Sequence, residues 1–193
     1  THLIYSEVFS QESNNNVYIK PENLQKTGSF KLRVAYNKLS KLDKEAAAKG
    51  IITASAGNHA QGVAFSAKKL GMKAVICMPE HTPMIKVDGT LKYGAEVVLY
   101  GASFDECKDH ALKLAEEKGY TFIPPFDDLD VIEGQGTIGL EIVDELKYVD
   151  YVIVPVGGGG LISGVAKCIK QISPLIKVIG VEPVSYTHLR AHE

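Results

Sequence analysis

The sequence has no excess of either charge and no long apolar run. Its 193 residues carry 21 lysines and arginines against 23 acidic residues, and only two of the cations are arginine. A net charge of −2 without a basic run gives no electrostatic basis for binding nucleic acid. Every apolar stretch is too short to cross a bilayer, and no secretory signal is recognised. We therefore expect no nucleic-acid partner and no association with a membrane.

Paired cysteines are missing as well. The three cysteines, Cys77, Cys107 and Cys168, are odd in number and widely spaced, and no Cys-x-x-Cys motif is present. This pattern argues against a disulfide framework or a zinc site, and it favours buried thiols in a reducing cytoplasm. No metal is expected, because His59 has no second ligand at helical or loop spacing.

The chain does contain a regular alternation of strand and helix patterns. The strand patterns lie at 17–20, 50–53, 73–78, 95–100, 121–123, 151–156 and 177–181. The helical patterns lie from a cap at Thr27 or Ser29 to Leu39, at 60–70, after Thr82-Pro83, and at 104–118, 136–146 and 161–172. This alternation predicts an α/β fold with parallel sheets that carry helices on both faces. Since ligands of such sheets bind beyond the carboxyl ends of the strands, each polar or glycine-rich junction after a strand is a candidate site.

The most distinctive junction consists of four consecutive glycines: Gly157, Gly158, Gly159 and Gly160. Glycines between a strand and a helix let backbone N–H groups approach an anion, and the helix N-terminus adds partial positive charge. A Walker loop would continue with lysine and a hydroxyl residue, but Leu161 and Ile162 follow instead. The spacing of a dinucleotide fingerprint is also missing, although Glu182 ends the next strand pattern and leaves that alternative only weakened. The glycine run therefore predicts a phosphate cradle, that is, a loop whose backbone binds a phosphate. The alternative is a tight turn that binds no ligand.

Two earlier junctions add a lysine and a small polar cluster. Lys31 follows a glycine-containing turn and Phe30, and a lysine against apolar surface is a usable amine nucleophile, although most lysines are solvated. Ser55, Gly57 and Asn58 offer donors to an anion, a simple helix cap being the alternative. Together, these three features fit one cofactor, pyridoxal phosphate. The glycine run would bind its phosphate, the amine of Lys31 would bond covalently to its aldehyde, and the polar cluster after residue 54 would bind a second anion.

Four segments of the chain resemble the threonine dehydratase family, which belongs to the tryptophan-synthase-β-like, fold type II enzymes that use pyridoxal phosphate. These segments are residues 20–31, 55–62, 134–137 and 157–161, and the resemblance extends from about residue 3 to Pro183. It implies that Lys31 holds the cofactor, that Phe30 packs near its ring, and that Asn58 bonds its ring hydroxyl. It implies a phosphate site formed by the backbone of Gly157, Gly158, Gly159, Gly160 and Leu161. The implied cup for the substrate carboxylate consists of Ser55, Ala56, Gly57, Asn58 and His59.

The resemblance also implies a domain organisation and a reaction. A small domain of about residues 50–128 would be inserted into a larger, incomplete domain formed by residues 1–49 and 129–183. The implied reaction is β-elimination of L-threonine to 2-oxobutanoate and ammonia, or of L-serine to pyruvate, with Lys31 removing the α-proton. The implied substrate is thus a small amino acid, and the complete protein is expected to be a cytoplasmic homo-oligomer. Biosynthetic and catabolic roles, and the presence of a regulatory domain, stay open.

The chain departs from the family pattern at two positions, and one of them bears on an alternative function. Serine racemases resemble the chain too, but they usually carry a second serine where Ala56 stands, and alanine has no proton to transfer. Ala56 therefore favours elimination over racemisation. Val34 occupies a position that is usually glycine, which bears on packing more than on chemistry. A second alternative, from another class, is a non-catalytic module that binds a nucleotide or a phosphate.

The last ten residues, 184–193, do not resemble the family. We expect them to be a foreign tail, and the chain to be an N-terminal fragment of a longer enzyme.

Overall fold

The structure is a computed structural model, and it describes residues 1–183. The predicted foreign tail, residues 184–193, lies outside the described residues. In the part that is described, no helix is both long enough and apolar enough to cross a membrane.

Strands and helices alternate along most of the chain. The first half contains β1 (Ile4–Tyr5), α1 (Glu7–Ser13), β2 (Tyr18–Ile19), a 3-10 helix (Glu22–Leu24), α2 (Lys31–Ser40), α3 (Lys44–Lys49), β3 (Ile51–Ala54), α4 (Asn58–Leu70), β4 (Ala74–Met78) and α5 (Met84–Leu91). The second half contains β5 (Glu96–Leu99), α6 (Phe104–Lys118), β6 (Thr121–Phe122), α7 (Leu129–Glu145), β7 (Tyr151–Pro155), α8 (Gly160–Ile172) and β8 (Lys177–Val181).

Four of the strands form a parallel sheet in the order β5-β4-β3-β6. The two central strands are buried at every position, which matches their almost continuous apolar sequence. Successive residues of β3 point to opposite faces: Ile51 packs with α2 and α4, whereas Ile52 packs with Cys107 and Ala111 of α6. Helices therefore cover both faces of this sheet.

A second, smaller parallel sheet pairs β7 with β8. In β7, Val152 and Val154 are buried and form a core with Val165 and Ile169 of α8, while Tyr151 and Ile153 are exposed. Helix α7 packs against α8, and α2 packs against both α4 and α7. Helix α2 thus joins the elements around the two sheets.

The predicted fold class is confirmed: the chain is α/β, its two larger sheets are parallel, and helices cover both faces of the four-stranded one. All strands of the four-stranded sheet fall within residues 50–128. The domain boundaries themselves stay a prediction.

One predicted helix begins in the wrong place. The pattern predicts a helix over 136–146, but α7 begins at Leu129, seven residues earlier. The Asp128 carboxylate caps this helix by accepting hydrogen bonds from the N–H groups of Asp130 and Val131, at 3.0 and 3.1 Å. Gly134 lies inside α7 and lets it approach α2, because a methyl group there would lie 3.0 Å from the α-carbon of the buried Val34.

Candidate active site

Lys31 is the first residue of α2, and its side chain is largely enclosed. Its Nζ donates a hydrogen bond to the carbonyl oxygen of Pro125, which follows β6. The Phe30 ring lies beside it, with its centroid 5.4 Å from Nζ. Burial lowers the pKa of Lys31 from 10.5 to about 8. About a tenth of this amine is therefore neutral, and hence nucleophilic, at pH 7.

The position of Lys31 is fixed by a close approach between two helices. Gly62 of α4 faces the first turn of α2, and a methyl group at Gly62 would lie only 2.8 Å from the carbonyl carbon and oxygen of Lys31. Any larger residue would push α4 away from α2. The glycine therefore sets the distance at which the lysine enters the site.

The glycine run connects β7 to α8. Gly159 precedes the helix with a φ of +78°, a left-handed conformation that favours glycine. The first intrahelical bond runs from the N–H of Ser163 to the carbonyl of Gly159, at 3.0 Å. The N–H groups of Gly160, Leu161 and Ile162 lie in the first turn of the helix. No turn precedes them that could supply a carbonyl acceptor within the helix. They form an anion-binding arrangement at the positive end of the helix.

The glycine run and the lysine border the same pocket, which has a volume of about 340 Å³. Its predicted members are Phe30, Lys31, Gly157, Gly158, Gly159, Gly160 and Leu161. The structure therefore brings the predicted amine and the predicted phosphate cradle together, although they are more than 120 positions apart in the sequence.

Five further residues line this pocket and are not among the predicted site residues: Phe126, Gln135, Pro155, Val156 and Ile162. Two of them, Phe126 and Gln135, contact the glycine run from other parts of the chain. The Phe126 ring covers the glycine run, since a methyl group at Gly158 would lie 2.7 Å from it. Gln135 lies beneath the run, with its Nε2 2.9 Å from where a methyl group at Gly160 would be. Gln135 had a sequence signal, because it is a polar residue between two glycines on an apolar helical face. Phe126 had none, since its contact depends on the path of the chain after β6.

The predicted substrate cup follows β3 and begins α4. Ser55 Oγ accepts a hydrogen bond from the N–H of Gly57 at 3.2 Å, and Ala56 lies between them. The first N–H groups of α4, those of Asn58 and His59, have no preceding helical turn to supply an acceptor. The Asn58 side chain is exposed. None of these five residues lines the pocket that holds Lys31 and the glycine run.

His59 connects the cup to the surroundings of the lysine. Its Nε2 lies 3.1 Å from the carbonyl oxygen of Ile123, which also accepts a hydrogen bond from Thr53 Oγ1 at 2.7 Å. Two residues after Ile123, the carbonyl oxygen of Pro125 accepts the hydrogen bond from Lys31 Nζ. Burial, helped by the positive charge of Lys31, lowers the pKa of His59 to about 4. The imidazole is therefore neutral at neutral pH and donates through Nε2 to Ile123.

The chemistry that these groups can perform is that of an amine and an anion site. Within residues 1–183, no group of three or more His, Cys, Asp or Glu side chains could hold a metal ion. Burial raises the pKa of the Cys77 thiol to about 12 and that of Cys107 to about 11, so neither is a nucleophile at neutral pH. The amine of Lys31, with its lowered pKa, has the chemistry expected of a nucleophile and base, and its role in a reaction stays a prediction.

Comparison with known proteins gives one family. The chain matches the family model described as "Pyridoxal-phosphate dependent enzyme" over residues 1–192. It is 53% identical over 182 residues to the L-threonine ammonia-lyase of Thermotoga maritima, a match that covers 94% of this chain and 45% of that protein.

Two solved plant structures share the fold of this chain. The processed form of threonine deaminase isoform 2 from Solanum lycopersicum has a TM-score of 0.92 and 55% identity, covering 94% of this chain and 53% of that one. Maize serine racemase has a TM-score of 0.94 and 37% identity, covering 97% and 57%. The chain thus spans about half the length of these relatives.

Proposed function

The chain belongs to the family of pyridoxal-phosphate-dependent enzymes, and from this premise we propose that it forms the lysine-bearing part of an L-threonine ammonia-lyase. The substrate is L-threonine, which is converted to 2-oxobutanoate and ammonia, and L-serine is a second substrate that yields pyruvate. One observation carries the proposal: Lys31 and the glycine run border one pocket. The identity to threonine ammonia-lyases, at 53% over 94% of the chain, supports this choice of substrate.

The residues of the pocket fit a phosphorylated aldehyde. At one end, Lys31 offers an amine whose pKa burial lowers to about 8. At the other end, the N–H groups that begin α8 are free to bind an anion. Gly158 and Gly160 are closely packed and leave no room for side chains between the backbone and its neighbours. The partly exposed Phe126 covers this end. We infer that Lys31 and Gly157–Gly160 hold the two ends of the cofactor.

When bound, pyridoxal phosphate supplies an electron sink for the carbanion that forms at the substrate α-carbon. Lys31 Nζ accepts the α-proton, and its pKa of about 8 lets it exchange that proton near neutral pH. The Pro125 carbonyl orients Nζ by accepting its hydrogen bond. The N–H groups that begin α4, together with Ser55, bind the substrate carboxylate and hold the α-carbon within reach of Lys31.

Serine racemisation is the competing activity, and the likeness to maize serine racemase is the observation that favours it. A racemase must deliver a proton to the second face of the α-carbon. Ala56 is at the position in the cup where such a donor would stand, and its methyl group carries no exchangeable proton. We therefore expect pyruvate to exceed D-serine by a wide margin when the protein is supplied with L-serine. D-serine formed as fast as pyruvate would contradict this assignment.

The lysine assignment can be tested by covalent trapping. Borohydride treatment in the presence of pyridoxal phosphate should label the peptide that contains Lys31, and Lys31→Ala should abolish both this label and the formation of 2-oxobutanoate. Lys26→Ala, which removes an exposed lysine five residues away, is the matched control and should preserve both.

Label on another lysine, or 2-oxobutanoate formation by Lys31→Ala, would sink the assignment. Binding of a nucleotide with no lysine label at all would favour the phosphate-binding module instead.

The same proposal includes a homo-oligomeric complete protein in the cytoplasm. Light scattering coupled to size-exclusion chromatography tests the first expectation. Cell fractionation tests the second.

A further inference from the structure

Gln135 is a fully enclosed side chain that has nothing to bind. Its exposed fraction is 1%. Neither its Nε2 nor its Oε1 has a hydrogen-bond partner among residues 1–183. A primary amide buried in this way destabilises the protein, because it gives up hydrogen bonds to water without replacing them. A protein can tolerate this loss of stability where a bound ligand supplies the missing hydrogen bond.

The neighbours of Gln135 in α7 fix where it points. A methyl group at Gly134 would lie 2.8 Å from the carbonyl oxygen of Arg33 in α2, and one at Gly136 would lie 3.2 Å from the carbonyl oxygen of Gly164 in α8. Helix α7 is therefore pressed against both helices at the level of Gln135. The backbone that carries Gln135 is therefore held in place.

The amide reaches the start of α8. Its Nε2 lies 2.9 Å from the place where a methyl group at Gly160 would stand, and Gln135 lines the pocket together with Lys31 and the glycine run. The backbone N–H groups of Gly160 and Leu161 begin the helix at the same place. A side-chain amide and the helix N-terminus thus meet at one point of the pocket wall.

We propose that Gln135 is a phosphate-binding residue: its Nε2 donates a hydrogen bond to the phosphate that the glycine run holds. The inference rests on the proposed function, because it takes the phosphate to be that of pyridoxal phosphate. A phosphate dianion only accepts hydrogen bonds, and the NH2 group of an amide only donates, so the two are complementary. The bound phosphate satisfies the Nε2 donor, which is otherwise buried without a partner.

A purely structural role would have the opposite effect on stability. If the amide held the fold together, then replacing it with an apolar side chain of similar size would destabilise the protein without the cofactor. If the amide binds only a phosphate that comes with the cofactor, then Gln135→Met removes an unsatisfied polar group from the apoprotein. The variant apoprotein should then be at least as stable as the wild-type apoprotein.

The experiment compares Gln135→Met and Gln135→Glu with Gln171→Met, an exposed glutamine near the end of α8. Thermal unfolding of the apoprotein gives stability, and equilibrium dialysis gives the affinities for pyridoxal 5'-phosphate, for pyridoxal without phosphate and for inorganic phosphate. Gln135→Met should weaken pyridoxal 5'-phosphate and inorganic phosphate about tenfold, because it loses a hydrogen bond to a charged group. Gln135→Glu should weaken both further by charge repulsion. Neither variant should change the affinity for pyridoxal, and Gln171→Met should change nothing.

Three results would overturn the inference: unchanged affinity of Gln135→Met for both phosphates, an equal loss for pyridoxal, or a lower melting temperature of its apoprotein. The proposed function fails separately, if the wild-type protein binds inorganic phosphate but not pyridoxal 5'-phosphate. The inorganic phosphate affinities then still decide whether Gln135 binds a phosphate. A wild-type protein that binds neither phosphate would overturn both proposals.

Discussion

His59 combines burial with a single hydrogen bond, and its charge state affects the whole site. It lies in the first turn of α4, and 3% of its surface is exposed. Together with Thr53 it binds the Ile123 carbonyl and so anchors the segment that carries Pro125 to Lys31. A protonated imidazole would place a second positive charge in this region. We therefore regard neutral His59 as a condition for the native position of Lys31.

The depressed pKa of His59 predicts a loss of stability in mild acid. In the unfolded chain His59 takes up a proton at about pH 6.5, but in the folded state it does so only at about pH 4. The unfolded state therefore binds more protons between these values, and stability falls as the pH falls from 6.5 to 4. His59→Gln should remove roughly 2 kcal/mol of the change in unfolding free energy between pH 6.5 and 4.5. Urea denaturation at the two pH values measures it.

The exposed His81 provides the control for this measurement. His81→Gln should keep the pH dependence of the wild type. An equal pH dependence in His59→Gln and the wild type would show that His59 does not titrate as described.

Lys31 has a pH dependence of its own. Its pKa is lowered to about 8, so the unprotonated amine should accumulate with a midpoint near pH 8 rather than near 10.5. Competitive acetylation of the apoprotein from pH 6 to 10, with mass spectrometry of the Lys31 peptide, measures the midpoint. Exposed Lys113 is the internal reference. Identical profiles for the two lysines would contradict the effect of burial.

At the residue scale, sequence patterns identify groups that carry their own chemical signal. The glycine run and Lys31 are predicted as site residues because four consecutive glycines are unusual for a plain turn and because Lys31 lies in a segment that resembles a known family. Phe126 is not recognised, because it acquires its place only when the loop after β6 folds back over the glycines. The unpaired state of Gln135 is likewise a property of three packed helices, and the sequence of α7 alone does not contain it.

At the element scale, the contact between α2 and α4 depends on one glycine. Gly62→Ala places a methyl group 2.8 Å from the backbone of Lys31, and a backbone cannot move aside without shifting its helix. We expect a loss of about 1–3 kcal/mol in the free energy of unfolding, the usual cost of overpacking. We also expect a weaker affinity for pyridoxal phosphate, since Lys31 moves with α2. Chemical denaturation and equilibrium dialysis measure the two effects.

Gly89 in α5 is a matched control for this substitution. It too is a helical glycine, but a methyl group there meets only the flexible side chain of Gln61, at 3.3 Å. Gly89→Ala should be neutral or should stabilise by up to about 1 kcal/mol, because alanine favours the helix. Equal effects of the two substitutions would refute the role of the close approach.

Elements with complete local signals were predicted well. Helix α6 begins at Phe104 and ends at Lys118 before Gly119, as its amphipathic pattern predicts. Helix α4 ends before Gly71, also as predicted. The short helices α1 and α3 were not predicted, because they lack a long apolar face and depend on side-chain caps from Ser6 and Asp43. The predicted start of α7 at Gly136 is too late, because the cap at Asp128 and the helix contacts of Gly134 and Gly136 carry the helix further towards its N-terminus.

At the scale of the whole molecule, an ion-pair cluster joins three distant parts of the chain. Arg33 of α2, with a side chain 11% exposed, binds Glu22 of the N-terminal segment at 2.8 Å and Glu141 of α7 at 2.8 Å. Lys20 also binds Glu141, at 2.8 Å. This cluster holds the N-terminal segment against the two helices that border the Lys31 pocket.

The cluster predicts a second loss of stability at lower pH. Burial raises the pKa of Glu141, but the hydrogen bonds from Arg33 and Lys20 outweigh it and lower the pKa from 4.5 to about 2. The unfolded chain therefore binds this proton first, and stability falls as the pH falls from about 4.5 towards 2. Glu141→Gln should flatten the pH dependence of the melting temperature in this range. It should also lower the melting temperature at pH 7, because Arg33 loses a charged partner.

Glu117 on α6 is exposed and has no ion pair within residues 1–183. Glu117→Gln should follow the wild type at every pH. If Glu141→Gln did the same, the cluster would have no part in acid stability.

The backbone contact at Gly62 has a consequence for how the protein can change over generations. A clash between two side chains in a core can be relieved by a smaller side chain across the contact. The atoms opposite Gly62 are the carbonyl carbon and oxygen of Lys31 and the nitrogen of Leu32, which every residue type possesses. No second substitution at these two positions can make room there. A genetic screen for suppressors of Gly62→Ala should therefore recover revertants or generally stabilising changes elsewhere, and none at the point of contact.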